Sequence, residues 1–183
     1  GIDPLPDPPE PAPGLRILTL ARLAPEKRLP DLVDAFALVA RSHPDATLTL
    51  AGTGPLEAEL RLRVSRLGLD DRVSLPGYVD AGTALASADV LSMLSLWENC
   101  PYAVLDGLVH GAGVVAAPVG GIPEMLPDHC LVQPDDHAAV AALLVEQGQR
   151  VGARPKLPPG WPTVADMTAA VGEVYAEARR GGR

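Results

Sequence analysis

Two cysteines in 183 residues, Cys100 and Cys130, are too few for a disulfide framework and fit a reducing compartment. Aromatic residues make up only 3%, with a single phenylalanine. Val, Leu and Ala must therefore pack the core that an apolar content of 47% allows. Cations are also scarce: 15 Lys and Arg stand against 23 Asp and Glu, for a net charge of −8. That balance argues against nucleic acid or an anionic membrane as the main partner. It leaves open a small anionic ligand held by a local cluster of cations. No apolar run approaches the roughly 20 residues of a membrane span, and no signal peptide is recognisable. A soluble, cytoplasmic protein is expected.

Proline, in contrast, is concentrated at the start. Residues 1–14 (GIDPLPDPPEPAPG) hold six prolines and no apolar periodicity, the pattern of an extended, semi-rigid linker. Residues 15–183 read as one domain. Apolar-rich strands are expected at 15–20, 46–51, 72–76, 89–96 and 113–117, with a sixth at 129–133. Helical patterns fall between them: one opens at Pro30-Asp31 with Leu32, Phe36 and Val39 on one face. Another carries Leu56, Leu60, Val64 and Leu67 inward and ends at Gly68. Asp135-Asp136 caps a helix with Val140, Leu143 and Leu144. Thr163 and Asp166 resemble a capping box for a last helix with Met167, Val171 and Val174 on one face. The alternation implies an α/β, Rossmann-like parallel sheet of about six strands with helices on both faces.

In such sheets ligands lie outside the carboxyl ends of the strands. Arg22 with Lys27, Gly52 with Gly54, Gly77, Glu98, and Gly120 with Gly121 each follow a strand at that rim. The densest stretch is Trp97-Glu98-Asn99-Cys100-Pro101-Tyr102-Ala103-Val104-Leu105-Asp106. It reads as a turn followed by a helix over 102–110, with Pro101 at the first helical position. The helix N-terminus suits an anion, whereas Glu98 and Asp106 would repel one unless they face hydroxyl groups. A ligand with both phosphate and sugar hydroxyls satisfies every group. Cys100 beside Glu98 reads as a packed small residue or a reactive thiol. Tyr78 reads as a stacking surface for a base or as an ordinary, partly buried tyrosine.

Taken together these segments resemble the carboxyl-terminal, donor-binding domain of the group 1 family of retaining glycosyltransferases, which have the two-domain GT-B architecture. The likeness runs from Gly1 to about Tyr175. Arg22 and Lys27 match the family's Arg-x4-Lys, which implies contacts to the donor diphosphate. Gly52-Thr53-Gly54-Pro55 matches its Gly-x-Gly-Pro turn, and Gly120-Gly121-Ile122-Pro123-Glu124 another marked segment. Glu98 and Asp106 hold the spacing of its Glu-x7-Glu signature, which implies Glu98 on the donor sugar and Asp106 on the ribose. Gly77-Tyr78-Val79 falls where the family's backbone meets the nucleobase. The resemblance thus implies Arg22, Lys27 and Glu98 as catalytic residues. It implies a donor site of Gly52, Gly54, Gly77, Tyr78, Val79, Asn99, Cys100, Pro101, Tyr102, Asp106 and Gly121. Asp106 replaces Glu, Asn99 stands where glycine is usual, and Gly113 replaces a proline.

The substrate implied is a nucleoside diphosphate sugar, with no metal or other cofactor. The partner implied is an amino-terminal acceptor-binding domain that this sequence does not contain, so the chain is expected to fold alone and transfer nothing. The alternatives are a GT-B-type nucleotide-sugar epimerase and a non-catalytic nucleotide-sugar-binding module. His129, Cys130 and His137 raise a zinc site, but their spacing fits no standard finger, and Asp136 is better read as a cap.

Overall fold

The computed structural model describes residues 15–99 and 101–181. The linker expected over 1–14 and Cys100 lie outside them. Among the described residues, five parallel strands form one sheet: β1 (Arg16–Leu20), β2 (Thr47–Ala51), β3 (Val73–Gly77), β4 (Val90–Met93) and β5 (Gly113–Ala116), in the order β3-β2-β1-β4-β5. This is the order of a doubly wound sheet. Successive strand residues point to opposite faces. Ile17, Val90 and Val115 therefore enter one layer of core, while Leu18, Leu91 and Val114 enter the other.

Helices α1 (Leu29–Ser42), α2 (Glu57–Arg66) and α6 (His137–Gln149) cover the first face; α3 (Ala81–Ala86), α4 (Tyr102–Val109) and α5 (Ile122–Met125) cover the second. The periodicity of α1 explains its seat. Leu29, Leu32, Val33, Phe36 and Val39 are all buried, and residues three, four and seven apart share a helix face. Pro near its start, Asp31 in the first turn and Arg41 in the last suit the helix dipole. Buried Asp89, just ahead of β4, accepts hydrogen bonds from Arg16 N at 2.8 Å and Arg16 Nε at 3.0 Å. This pair fixes β1 beside β4.

Three expectations need correction. The sixth strand reduces to a single bridge between Leu131 and Ala116, because Asp128–Cys130 wind into a 3-10 turn instead of extending. Strand β4 ends at Met93, three residues early: its neighbour β5 has only four residues, and Ala117 N bonds to Met93 O before Pro118 turns the chain away. Leu67 caps α2 and is 42% exposed rather than turned inward. The capping box of the last helix does form, with Thr163 N 2.8 Å from Asp166 Oδ2. The helix it opens, α7 (Val164–Gly181), nevertheless leaves Met167, Val171 and Val174 48–66% exposed, so its apolar face is not buried against the domain.

Candidate functional site at the carboxyl ends of the strands

The strand order reverses between β1 and β4, since β1 is followed in sequence by β2 on one side and adjoins β4 on the other. Loops leaving these two strands diverge and open a crevice. From β1 the chain passes Arg22 and enters a 3-10 turn over Pro25–Lys27; from β4 it runs through Leu94 to Asn99. The two loops are joined by backbone, Leu96 N donating to Glu26 O at 2.8 Å. They are also joined by charge, with Lys27 Nζ 2.5 Å from Glu98 Oε1. Both side chains of this pair are largely covered, at 20% and 12% exposure.

Arg22 is differently placed. Its guanidinium is 68% exposed and lies 2.6 Å from Glu26 Oε1. This hydrogen bond holds the Glu26 carboxyl below the usual carboxylate range. An ion pair with one member this exposed adds little to stability, so Arg22 can turn to a ligand at little cost.

A cavity of about 340 Å³ adjoins Arg22, lined also by Gly52, Thr53, Tyr78 and Val79. Gly52 adopts φ +140°, and a Cβ there would stand 1.9 Å from Ala21 O. Only glycine lets β2's end approach β1's so closely. Gly52 N donates to Gly77 O at 2.7 Å, which draws the β3 end into the same rim. Gly54 lies against the Leu23 backbone instead of facing the cavity. Tyr78 is not partly buried: it stands 89% exposed at the mouth.

Around the β4–α4 loop, Asn99 and Tyr102 are exposed and Pro101 is buried. Pro101 is the N-cap residue, with φ −77° and ψ 84°, rather than the first helical residue as expected; its carbonyl accepts from Val104 N at 2.9 Å. Among the described residues, no side chain caps this helix. Gly121 sits below Asn99 O, one residue before α5. Cys100, named as a site residue from sequence, lies outside the described residues.

Asp106 is half-buried in α4, and desolvation raises its carboxyl above the ordinary value while His110 pulls the other way. Ala103, one turn earlier, packs in the cluster that holds Val79. Residues three apart share a helix face, so Asp106 lies on the same side of α4 as Ala103. Since the folded state raises this pKa, ionised Asp106 costs stability at neutral pH, and the cost disappears as pH falls through its raised titration range. Asp106→Asn should therefore raise ligand-free stability at pH 7, and the advantage over wild type should shrink toward pH 4 in urea unfolding curves.

Sequence reasoning singled out neither Ser95 nor Glu26. Glu26 follows Arg22 by four residues in an ion-pairing pattern that was legible. Ser95 carried no signal, since its contact to Glu98 depends on how the loop folds back. The three candidate zinc ligands have other roles: His129 Nε2 is 3.1 Å from Ala153 O, His137 Nε2 is 3.1 Å from Asp31 Oδ1, and Cys130 is buried. Burial raises the Cys130 thiol to about 11. Among the described residues, no group of three or more His, Cys, Asp or Glu is placed to hold a metal ion. No described helix is long and apolar enough to cross a membrane. A larger groove, about 600 Å³, lies between α1 and α6, but it is lined mainly by aliphatic residues such as Leu38, Val39 and Val145. Its one arginine, Arg150, is paired with Glu146 at 3.0 Å.

A family model described as glycosyl transferases, group 1, matches residues 14–147. The amylovoran biosynthesis glycosyltransferase AmsK of Erwinia amylovora is 30% identical over 147 residues, covering 74% of this chain and 36% of that protein. The N-acetyl-alpha-D-glucosaminyl L-malate synthase of Bacillus anthracis is 35% identical over 101 residues, covering 55% of this chain and 26% of that protein. The chain thus spans under two-fifths of the length of these relatives. Among solved structures, the pneumococcal O-GlcNAc transferase GtfA, in complex with UDP and GlcNAc, superposes with a TM-score of 0.74 at 22% identity, over 83% of this chain and 33% of that one. The carboxyl-terminal domain of the group 1 protein LpcC from Francisella tularensis gives 0.66 at 19% identity, over 75% of this chain and 82% of that one. Anabaena HepE with UDP-glucose gives 0.68 at 23%, over 78% and 43%. These likenesses establish the Rossmann-like fold.

Proposed function

This chain belongs to the group 1 glycosyl transferases, and from that premise we propose that it is the donor-binding half of a retaining glycosyltransferase whose donor is a nucleoside diphosphate sugar. The observation that carries the reading is the meeting of Lys27 and Glu98 across the crevice between β1 and β4. A cation and a carboxylate, brought there by different strands, suit a ligand with a diphosphate at one point and hydroxyls at the next. Lys27 and Arg22, with the N-terminal N–H groups of α4, bind the diphosphate. Glu98 faces the donor sugar, Asp106 the ribose, and the cavity beside Tyr78 and Val79 takes the base. HepE and GtfA, which bind UDP or UDP-glucose, support a ligand of this class.

Negative charge grows on the leaving diphosphate as the glycosidic bond breaks. Arg22 and Lys27 interact more strongly with that charge in the transition state than in the ground state, and so lower the barrier. An amino-terminal domain binds the acceptor and forms the opposite wall of the cleft.

The test begins with thermal shifts in a panel of UDP, GDP, ADP and their glucose conjugates. One nucleoside diphosphate and its conjugate should stabilise the chain; no shift from any of them overturns the reading. Calorimetric titration of that pair then separates the carboxylates. Asp106→Ala should weaken both ligands by the same factor, about 10-fold. Glu98→Gln should leave the diphosphate nearly untouched and weaken the conjugate. Equal losses of both ligands in both variants would contradict the division between ribose and sugar.

A further inference from the structure

Glu98 needs more than Lys27 to hold its direction. The terminal torsion of a glutamate is soft, without the three sharp wells of an aliphatic side chain. One ion pair therefore leaves the carboxylate free to rotate and exchange oxygens. Ser95 supplies a second constraint. It is 1% exposed, held between buried Leu94 and a Leu96 whose N–H is bonded to Glu26 O. A hydroxyl so buried requires a partner. That partner is the carboxylate: Ser95 Oγ donates to Glu98 Oε1 at 2.6 Å. Lys27 engages the same oxygen at 2.5 Å. Both donors fall on one edge of the carboxylate, which orients the other oxygen, Oε2, away from them.

We infer that Ser95 is the positioning residue that aims Glu98 Oε2 at the donor sugar, and that its effect is greatest once ligand is bound. This rests on the proposed role of Glu98. In the ligand-free chain Lys27 and Ser95 share the work of holding the carboxylate. A bound diphosphate draws the Lys27 ammonium toward itself, and the Ser95 hydroxyl, fixed in the core, becomes the anchor that remains. Serine donates one hydrogen bond without adding charge, so it can hold Glu98 without competing for the phosphate.

The experiment is a double-mutant cycle of Ser95→Ala and Glu98→Gln in the intact chain. Its probes are the nucleoside diphosphate and glucose conjugate selected by the thermal-shift panel. Ser95→Ala should leave diphosphate affinity within about 2-fold and lower that of the conjugate by about 3- to 10-fold. In the Glu98→Gln background it should add little, whereas Ser95→Thr, which keeps the hydroxyl, should restore most of the loss. A retained cooperative urea-unfolding transition reports that each variant is folded. If Ser95→Ala weakens both ligands equally, or its effect adds fully to that of Glu98→Gln, Ser95 is only a packing residue and the inference falls. If Glu98→Gln alone leaves the conjugate unaffected, the assignment of Glu98 to the sugar fails, and the role of Ser95 fails with it.

Discussion

Lys27→Ala is expected to weaken nucleoside diphosphate binding by about 1–3 kcal/mol, on the order of 5- to 150-fold in Kd. Two effects act in the same direction. A charged donor to the phosphate is lost, and Glu98 is left without its counter-ion in a crevice where its side chain is only 12% exposed. The uncompensated carboxylate then repels the diphosphate in a setting where water screens weakly. The double variant Lys27→Ala/Glu98→Gln separates the two: it should recover the repulsive part and keep the loss of the donor. Arg22→Ala should cost less than Lys27→Ala, because Arg22 is exposed and already solvated in the free chain. Calorimetric titration checks all three. Wild-type affinity in both single variants would make these cations part of a solvated surface.

The second large effect is expected at Gly120. Its backbone has φ +55°, and a Cβ would stand 1.8 Å from Glu98 O. The atom in the way is backbone, so no side chain can swing aside. Gly120→Ala must push the 95–99 loop or the turn before α5 out of place. Overpacking of this kind costs about 1–3 kcal/mol, and a left-handed residue with a Cβ adds about 1–2 kcal/mol. Total destabilisation of about 2–5 kcal/mol should appear in urea unfolding. Because the shift acts on the residue that carries Glu98, any folded fraction should also lose its preference for the nucleotide sugar over the diphosphate. Gly68 is the control. It also has positive φ, but a Cβ there meets nothing within 4 Å, so Gly68→Ala should cost only the backbone strain and leave ligand preference intact. Similar losses of stability at both positions would show that the Gly120 contact is relieved without cost.

The fold was legible because its signals are local. Alternating apolar strands and amphipathic helices with glycine stops and acidic caps sit in the sequence in the order the sheet requires. Strand ends were less legible. Nothing in Leu94-Ser95-Leu96 distinguishes residues that pair from residues that leave, since the length of β4 is set by the shortness of its neighbour β5. The last helix shows the same limit: Met167, Val171 and Val174 form an apolar face by spacing, but spacing does not say what that face meets. At the candidate site the charged residues were visible as types at a shared rim. Their pairing was not. Lys27 to Glu98 spans 71 positions, and which of two nearby cations reaches the carboxylate depends on the 3-10 turn that carries Lys27 past Arg22. Ser95 was illegible for a simpler reason. A buried serine after a strand is ordinary, and only the backward turn of the loop makes its hydroxyl meet Glu98.

The assignment of the crevice between β1 and β4 as the donor site can be checked by a crystal structure of the chain with the nucleoside diphosphate of highest affinity. The diphosphate should lie in the crevice between the ends of β1 and β4, with phosphate oxygens within hydrogen-bond distance of Lys27 Nζ and the Arg22 guanidinium, and the base in the cavity beside Thr53 and Val79. Lys27 should have moved toward the phosphate while Ser95 keeps its bond to Glu98. A diphosphate seated in the larger groove between α1 and α6, or one that leaves Lys27 and Arg22 without contact to phosphate, would contradict it.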